Sequence, residues 1–455
     1  MKTMKKIFFL ITVLIATSCD FGSINVDPNN PSDAVVPLSM MLTATESTIA
    51  YDMGGRVSWY TAMFTGHTVG INAQPNDFSN YNFTESDCDG LFRDFYATSL
   101  STLNTMITRA NNEGSPHYSG MGKVLMAFSL GTLTSIWGDI PYSDAFKGQD
   151  GTFAPKYDTQ EAIYTSIQQL LDQAIVELQS GTSKLSPGAD DIIYAGSRSL
   201  WVKAAYALKA RYFIHLTKRS TTAAASALTA LQNNFVSNAE QFDFGFGITQ
   251  PNAAPWYQLN NQRPDVRVSP YLEGIFTSLS DPRALAFIDQ RASGPFVGLR
   301  YSSINSAVHF ISYAETKFIE AEALVRTSGT GAQTVFQAAI RASLDDALGS
   351  SVTDAAKSAY VTANGILIGT AANQLQVILN QKYIAMFTQS ESWVDYRRTG
   401  VPALVASSTA VINESNPQGQ IPRRFPYPIS ERLYNAGNIP SAAPSLQTPK
   451  LWIDN

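Results

Sequence analysis

Charge is scarce in this sequence: only 15% of its 455 residues are Asp, Glu, Lys or Arg, against roughly 25% in ordinary soluble domains. The net charge of −5 excludes an electrostatic nucleic-acid binder, which needs a basic face. Four His and two Cys leave little room for zinc or iron–sulfur chemistry. Past the signal-like start, no run is long and apolar enough to span a bilayer, which takes about 20 residues. There is no G-x-S-x-G elbow, H-E-x-x-H pair, phosphate-binding loop, G-x-G-x-x-G after a strand or paired C-x-x-C. What is plentiful is aromatic side chains, 11% of the chain, and uncharged polar ones, with 20 Tyr between the two groups. The expectation is an extracytoplasmic protein with a large core and neutral polar faces, without cofactor or metal.

Lys2, Lys5 and Lys6 precede the apolar run 7–16, which is too short to span and suits a signal-peptide core. The run ends in Ala16-Thr17-Ser18-Cys19, which resembles a bacterial lipobox. This predicts a signal peptide over 1–18, acylation at Cys19 and a lipidated tether over 19–37. One acyl chain holds a protein only marginally, whereas two hold it stably. With Cys19 acylated, Cys88 stands alone and no intramolecular disulfide forms. Its neighbours Asp87 and Asp89 disfavour a thiolate. Asp87-Cys88-Asp89-Gly90 resembles the start of a calcium loop, but no bidentate Glu follows at the required spacing, so a turn is expected.

Apolar residues recur at helical spacing over 158–181, where Asp158 and Glu161 read as a capping box ahead of Ile163, Ile167, Leu171, Ala174 and Leu178. Further helices are expected over 197–217, 312–326 and 374–389, with weaker signals over 121–136 and 335–348. Alanines such as Ala204, Ala205, Ala314 and Ala321 allow close helix packing, although no fixed 34-residue repeat emerges. Trp201, Tyr212 and Tyr383 fall on apolar stripes and are assigned to the core. Strand signals are short, as over 242–248. Long connections over 64–94, 234–269 and 392–449 carry many aromatic rings, and loops of that length are functional or packed on themselves. The expected fold is mainly α with minor β, in one large domain over 38–455.

Read in order, the segments 25–31, 137–142, 191–208, 313–323, 381–400 and 422–431 together resemble the SusD/RagB-type nutrient-binding outer-membrane lipoproteins of Bacteroidota. The tether Asn25-Val26-Asp27-Pro28-Asn29-Asn30-Pro31 is similar to the family's opening, and Trp137-Gly138-Asp139-Ile140-Pro141-Tyr142 to its W-G-D-I/V-P-Y turn. Asp191-Ile192-Ile193-Tyr194, with Trp201, Lys203, Ala204 and Leu208, resembles its D-x-x-Y…W-x-K-x-A helix. Tyr313-Ala314-Glu315 with Glu320-Ala321-Glu322-Ala323, and Gln381-Lys382-Tyr383 with Trp393 through Gly400, resemble its later helices. Arg423 through Pro428, with Glu431, resembles its closing element. Arg397 and Arg398 can fork onto carboxylates such as Glu315 or Asp395, which makes these motifs structural. The resemblance implies a SusD-like fold of degenerate tetratricopeptide-like helix hairpins with a loop-rich ligand face and no catalysis. It further implies lipid anchoring at the outer membrane, facing the cell exterior, and a SusC-like TonB-dependent transporter as partner.

The expected function is capture of an oligomeric nutrient. Stacking rings beside amides suit an uncharged oligosaccharide, with a peptide as the rival ligand. A helical glycoside hydrolase or a protein scaffold without small ligand are further alternatives, since paired carboxylates cannot be ranked without geometry. Three stretches of loop aromatics are the binding candidates. The first carries Trp256 and Tyr257 with Asn261, Arg263 and Asp265. The second carries Phe296 and Tyr301, and the third Trp59, Asn72 and Tyr81. Trp256 is expected to be an exposed anchor.

Overall fold

The computed structural model describes residues 36–440 and 444–455. The signal segment, Cys19 and all of the tether before Val36 lie outside the described residues. Helix α1 (Leu38–Asp52) runs through a π turn at Met53–Val57 into α2 (Ser58–Phe64), kinked where Gly55 takes φ −95° and ψ −118°. Two short helices follow, α3 (Ala73–Ser79) and α4 (Glu85–Arg93), then α5 (Ser101–Glu113).

The stack begins with α6 (Pro116–Trp137) against α7 (Gln160–Leu178), followed by α8 (Arg198–His215) against α9 (Ala223–Leu231). After α10 (Pro255–Gln262) and α11 (Pro270–Leu279) comes a third hairpin, α12 (Tyr313–Thr327) with α13 (Ala332–Leu348). Helices α14 (Asp354–Asn364), α15 (Ala371–Ala385), α16 (Glu391–Thr399) and α17 (Ile429–Tyr434) complete the chain. Small residues set the spacing of the stack. Ala210, Ala224, Ala227 and Ala323 meet in one buried cluster that joins the second hairpin to the third. At Gly131 a Cβ would fall 2.2 Å from the Tyr212 ring, so glycine is what lets α8 lie against α6 there.

The mainly α expectation holds, and Trp201, Tyr212 and Tyr383 are core residues. Three details differ. The cap of α7 is Thr159, whose side chain accepts from the Ala162 amide, while Asp158 pairs across a two-residue ladder and accepts from the Ser143 amide and hydroxyl. The strand expected over 242–248 is confined to Phe242–Phe244. The three long connections are not bare loops, since α3, α4, α10, α16 and α17 lie within them. Their rings pack on each other: Phe64, Phe83, Trp393 and Phe425 form one buried group with centroids 4.8–5.9 Å apart.

Buried ion pairs tie the C-terminal segments to the stack. Arg398 forks onto Glu322 at 2.6 and 2.5 Å and reaches Asp395 at 2.7 Å. Burial alone would raise the Glu322 carboxyl, but Arg398 outweighs it and holds the group below the usual carboxylate range. Glu315 is taken by Arg211, at 2.7 and 2.6 Å, not by the Arg397–Arg398 pair. Arg397 instead donates to the carbonyls of Arg423 and Ser135 and lies 3.9 Å over Trp393. Asp191 accepts from the amides of Ile193, Tyr194 and Gly196 and from the Trp201 indole, so the D-x-x-Y…W segment is a closed knot.

Candidate functional site

Two of the three expected stretches meet in space. Strand β1 (Thr68–Gly70) pairs antiparallel with a strand at Val266–Val268, Val69 opposite Arg267, which lays the segment after α2 beside the segment after α10. Residues of the π turn, α2, α3, α4 and α10 line a cleft of about 390 Å³ there. Its apolar lining is Trp59, Tyr60, Met63 and Phe78. Its polar lining includes Arg56, Gln74, Asp87, Gln258, Gln262 and Arg263. Helical spacing explains both sides. Arg56, Trp59, Tyr60 and Met63 recur at three and four residues on one continuous face, and Gln258 and Gln262 are one turn apart on α10. Pro255 opens that helix at its first turn, where its missing N–H is not needed.

Trp59 is half-buried and meets Trp256 edge-on, with centroids 6.5 Å apart and planes at 78°. Trp256 is 3% exposed. Its indole N–H donates to Ser58 Oγ at 2.8 Å, and that hydroxyl donates to the Thr388 carbonyl at 2.5 Å. The expectation of an exposed anchor at Trp256 is therefore corrected: α10 turns this ring into the core, where it backs Trp59.

Arg56 forms the charged side of the cleft. Its Nη1 lies 2.9 Å from Asp94 Oδ2, and its guanidinium rests against Gly90, where a Cβ would come within 2.9 Å of Nη1 and 3.1 Å of Cζ. The glycine of Asp87-Cys88-Asp89-Gly90 thus seats an arginine. Asp87 accepts from the Thr84 amide at 2.8 Å and hydroxyl at 2.7 Å, capping α4, and Asp89 holds Ser430. Cys88 is buried, and burial pushes its thiol well up, reinforced by Asp87 and Asp89. Among the described residues no group of three or more His, Cys, Asp or Glu is placed to hold a metal.

The other expected residues divide. Arg263 is exposed and lines the cleft, and Asn261 is exposed nearby on α10. Tyr257 is half-buried, its hydroxyl accepting from Gln250 at 3.4 Å, and the Asp265 carbonyl accepts from the Ile71 amide. Asn72 is exposed ahead of α3. Tyr81 is buried, with its hydroxyl accepting from the Ser407 amide. It lines a separate depression of about 340 Å³ with Asn76, Asn80, Tyr271 and Val405. Phe296 and Tyr301 do not join the cleft, and both rings are buried. Phe296 is buried between Arg267 and Arg291, at 3.6 and 4.1 Å, and Tyr301 packs on Phe287 and Phe387. Gln262 belongs to the expected Trp256 stretch, whereas Arg56, Gln74 and Gln258 are not picked out by the sequence. For Gln258 the available signal is its four-residue spacing from Gln262 behind Pro255.

No curated protein matches the chain. Solved structures share its fold. One is a SusD/RagB family protein from Bacteroides thetaiotaomicron, with TM-score 0.78 and 23% identity over 92% of this chain and 99% of that one. Another is a SusD homologue from Bacteroides fragilis, with TM-score 0.76 and 22% identity over 92% and 100%. A third is a chitin-binding SusD homologue from Flavobacterium johnsoniae, with TM-score 0.72 and 20% identity over 90% and 98%. At these identities the likeness is one of fold. The sequence itself matches the SusD-like family, described as starch-binding and associating with the outer membrane, over residues 28–428, and the chain belongs to that family.

Proposed function

We propose that the protein is a non-catalytic lipoprotein, anchored through Cys19 and facing the cell exterior, that captures an oligosaccharide and delivers it to a SusC-like TonB-dependent transporter. The observation that carries this reading is the Trp59 cleft. A sugar ring offers an apolar face for Trp59 and hydroxyls for Gln74, Gln258 and Gln262, and a few polar groups around an apolar lining are what a small-ligand pocket needs. The chitin-binding character of a structural relative agrees with this ligand class. The carboxylates at the cleft are already engaged, Asp87 by Thr84 and Asp94 by Arg56, which favours binding over acid–base chemistry.

Calorimetry against malto- and chito-oligosaccharides, with a peptide mixture as control, tests the reading. Trp59→Ala should weaken sugar binding by about 2 kcal/mol, the loss typical of a hot-spot aromatic. Binding of peptides alone, or sugar binding indifferent to Trp59, would overturn it.

A further inference from the structure

The cleft holds more cationic donor capacity than its neighbours use. Resting on the oligosaccharide reading, we propose that the ligand is acidic: an oligosaccharide bearing a carboxylate, which Arg56 and Arg263 bind.

A guanidinium carries five N–H donors in a planar fork suited to carboxylates. Arg56 engages only through Nη1, with Asp94. Its Nε and Nη2 make no hydrogen bond to the described residues, and the side chain is 39% exposed. Asp94 and the flat seat on Gly90 hold the group in place before any ligand arrives. Arg263, at the C-terminal cap of α10, is exposed and makes no ion pair or side-chain hydrogen bond among the described residues. Of the acids nearby, Asp87 Oδ2 takes both Thr84 donors, Asp94 is shared between Arg56 and Arg93, and burial with help from Asp94 pushes the Asp52 carboxyl up to about 8. An incoming carboxylate therefore meets unfilled donors, and charge-assisted bonds of this kind are among the stronger ones. The depression on the other side of α3 supplies the contrast. Asn76, Asn80, Tyr271, Ser407 and Thr409 line it with no charged side chain, although Met63 borders both. Charge is placed in one cleft and withheld from its neighbour.

The test uses the full chain in mild detergent and calorimetry with oligomers of galacturonate, glucuronate and mannuronate, each beside its methyl ester. The ester keeps the sugar and removes the charge. At least one acid should bind about tenfold more tightly than its ester, the step that one charge-assisted hydrogen bond supplies. Arg263→Gln and Arg56→Gln should each erase most of that preference, bringing the ratio of acid to ester affinity close to one. Arg263 lies exposed on the rim, so its variant reads out even if Arg56→Gln disturbs α4. Acids that bind no better than their esters, or a preference that survives both substitutions, would overturn the inference. If esters or neutral oligosaccharides then still bind through Trp59, the proposed function stands without it. If no sugar binds, both fall.

Discussion

In the helical stack Arg398 directs three nitrogens at Glu322 and Asp395, all at 2.5–2.7 Å and all out of solvent. Beside the cleft, Arg56 meets one carboxylate with one nitrogen, and its partly exposed guanidinium makes no other hydrogen bond among the described residues. A buried charge is costly unless it is paired and hydrogen-bonded, and every Arg398 nitrogen is already committed to a carboxylate. A half-exposed guanidinium stays hydrated, and its pair with Asp94 contributes little to stability. Motif residues such as Arg398, Glu322 and Asp395 thus belong to the buried network, while the proposed ligand contacts lie outside the motifs.

Arg398→Met breaks this contrast hardest. It removes the buried guanidinium that Glu322 and Asp395 share, leaving them only Arg326 and Lys382, and should cost about 3–5 kcal/mol of stability, read by urea denaturation. A loss below 1 kcal/mol would show that the network is dispensable. Trp256→Ala comes next. Removing a buried Trp should cost about 3 kcal/mol, with ligand affinity changed only through the Trp59 it supports. A stable variant with abolished binding would return Trp256 to the ligand face.

A third effect concerns pH. His309 is buried, which would lower its pKa, but Asp243 and Asp346 outweigh burial and push it up to about 10, with Arg300 also in contact. The folded imidazole keeps its proton where an unfolded one releases it near 6.5. The stability it contributes is full below that pH and declines as pH rises towards 10. Melting temperatures across this range should fall less steeply in His309→Gln than in wild type, and equal slopes would remove His309 from the network.

Long periodic helices were legible in the sequence because their apolar stripes are local. Gln160–Leu178 lies within three residues of the expected bounds, and its cap is displaced by one because Asp158 answers to Ile140 and Ser143, partners well before it in the chain. Short helices such as Ala73–Ser79 and Pro255–Gln262 have too few turns to be stable alone and form through tertiary packing. That is why Trp256 read as a loop residue and why its burial was missed. Trp59 and Arg263 were legible as candidates, but Arg56 was not. Its role depends on Gly90 and Asp94, which sequence distance separates from it and only the fold brings near.

The most direct test of the account is a crystal structure of the protein with a bound oligosaccharide. The expected result is sugar density in the cleft against Trp59, within hydrogen-bond distance of Gln74, Gln258 or Gln262. Density seated only in the depression beside Tyr271, or on the helical stack, with the Trp59 cleft unoccupied, would contradict it.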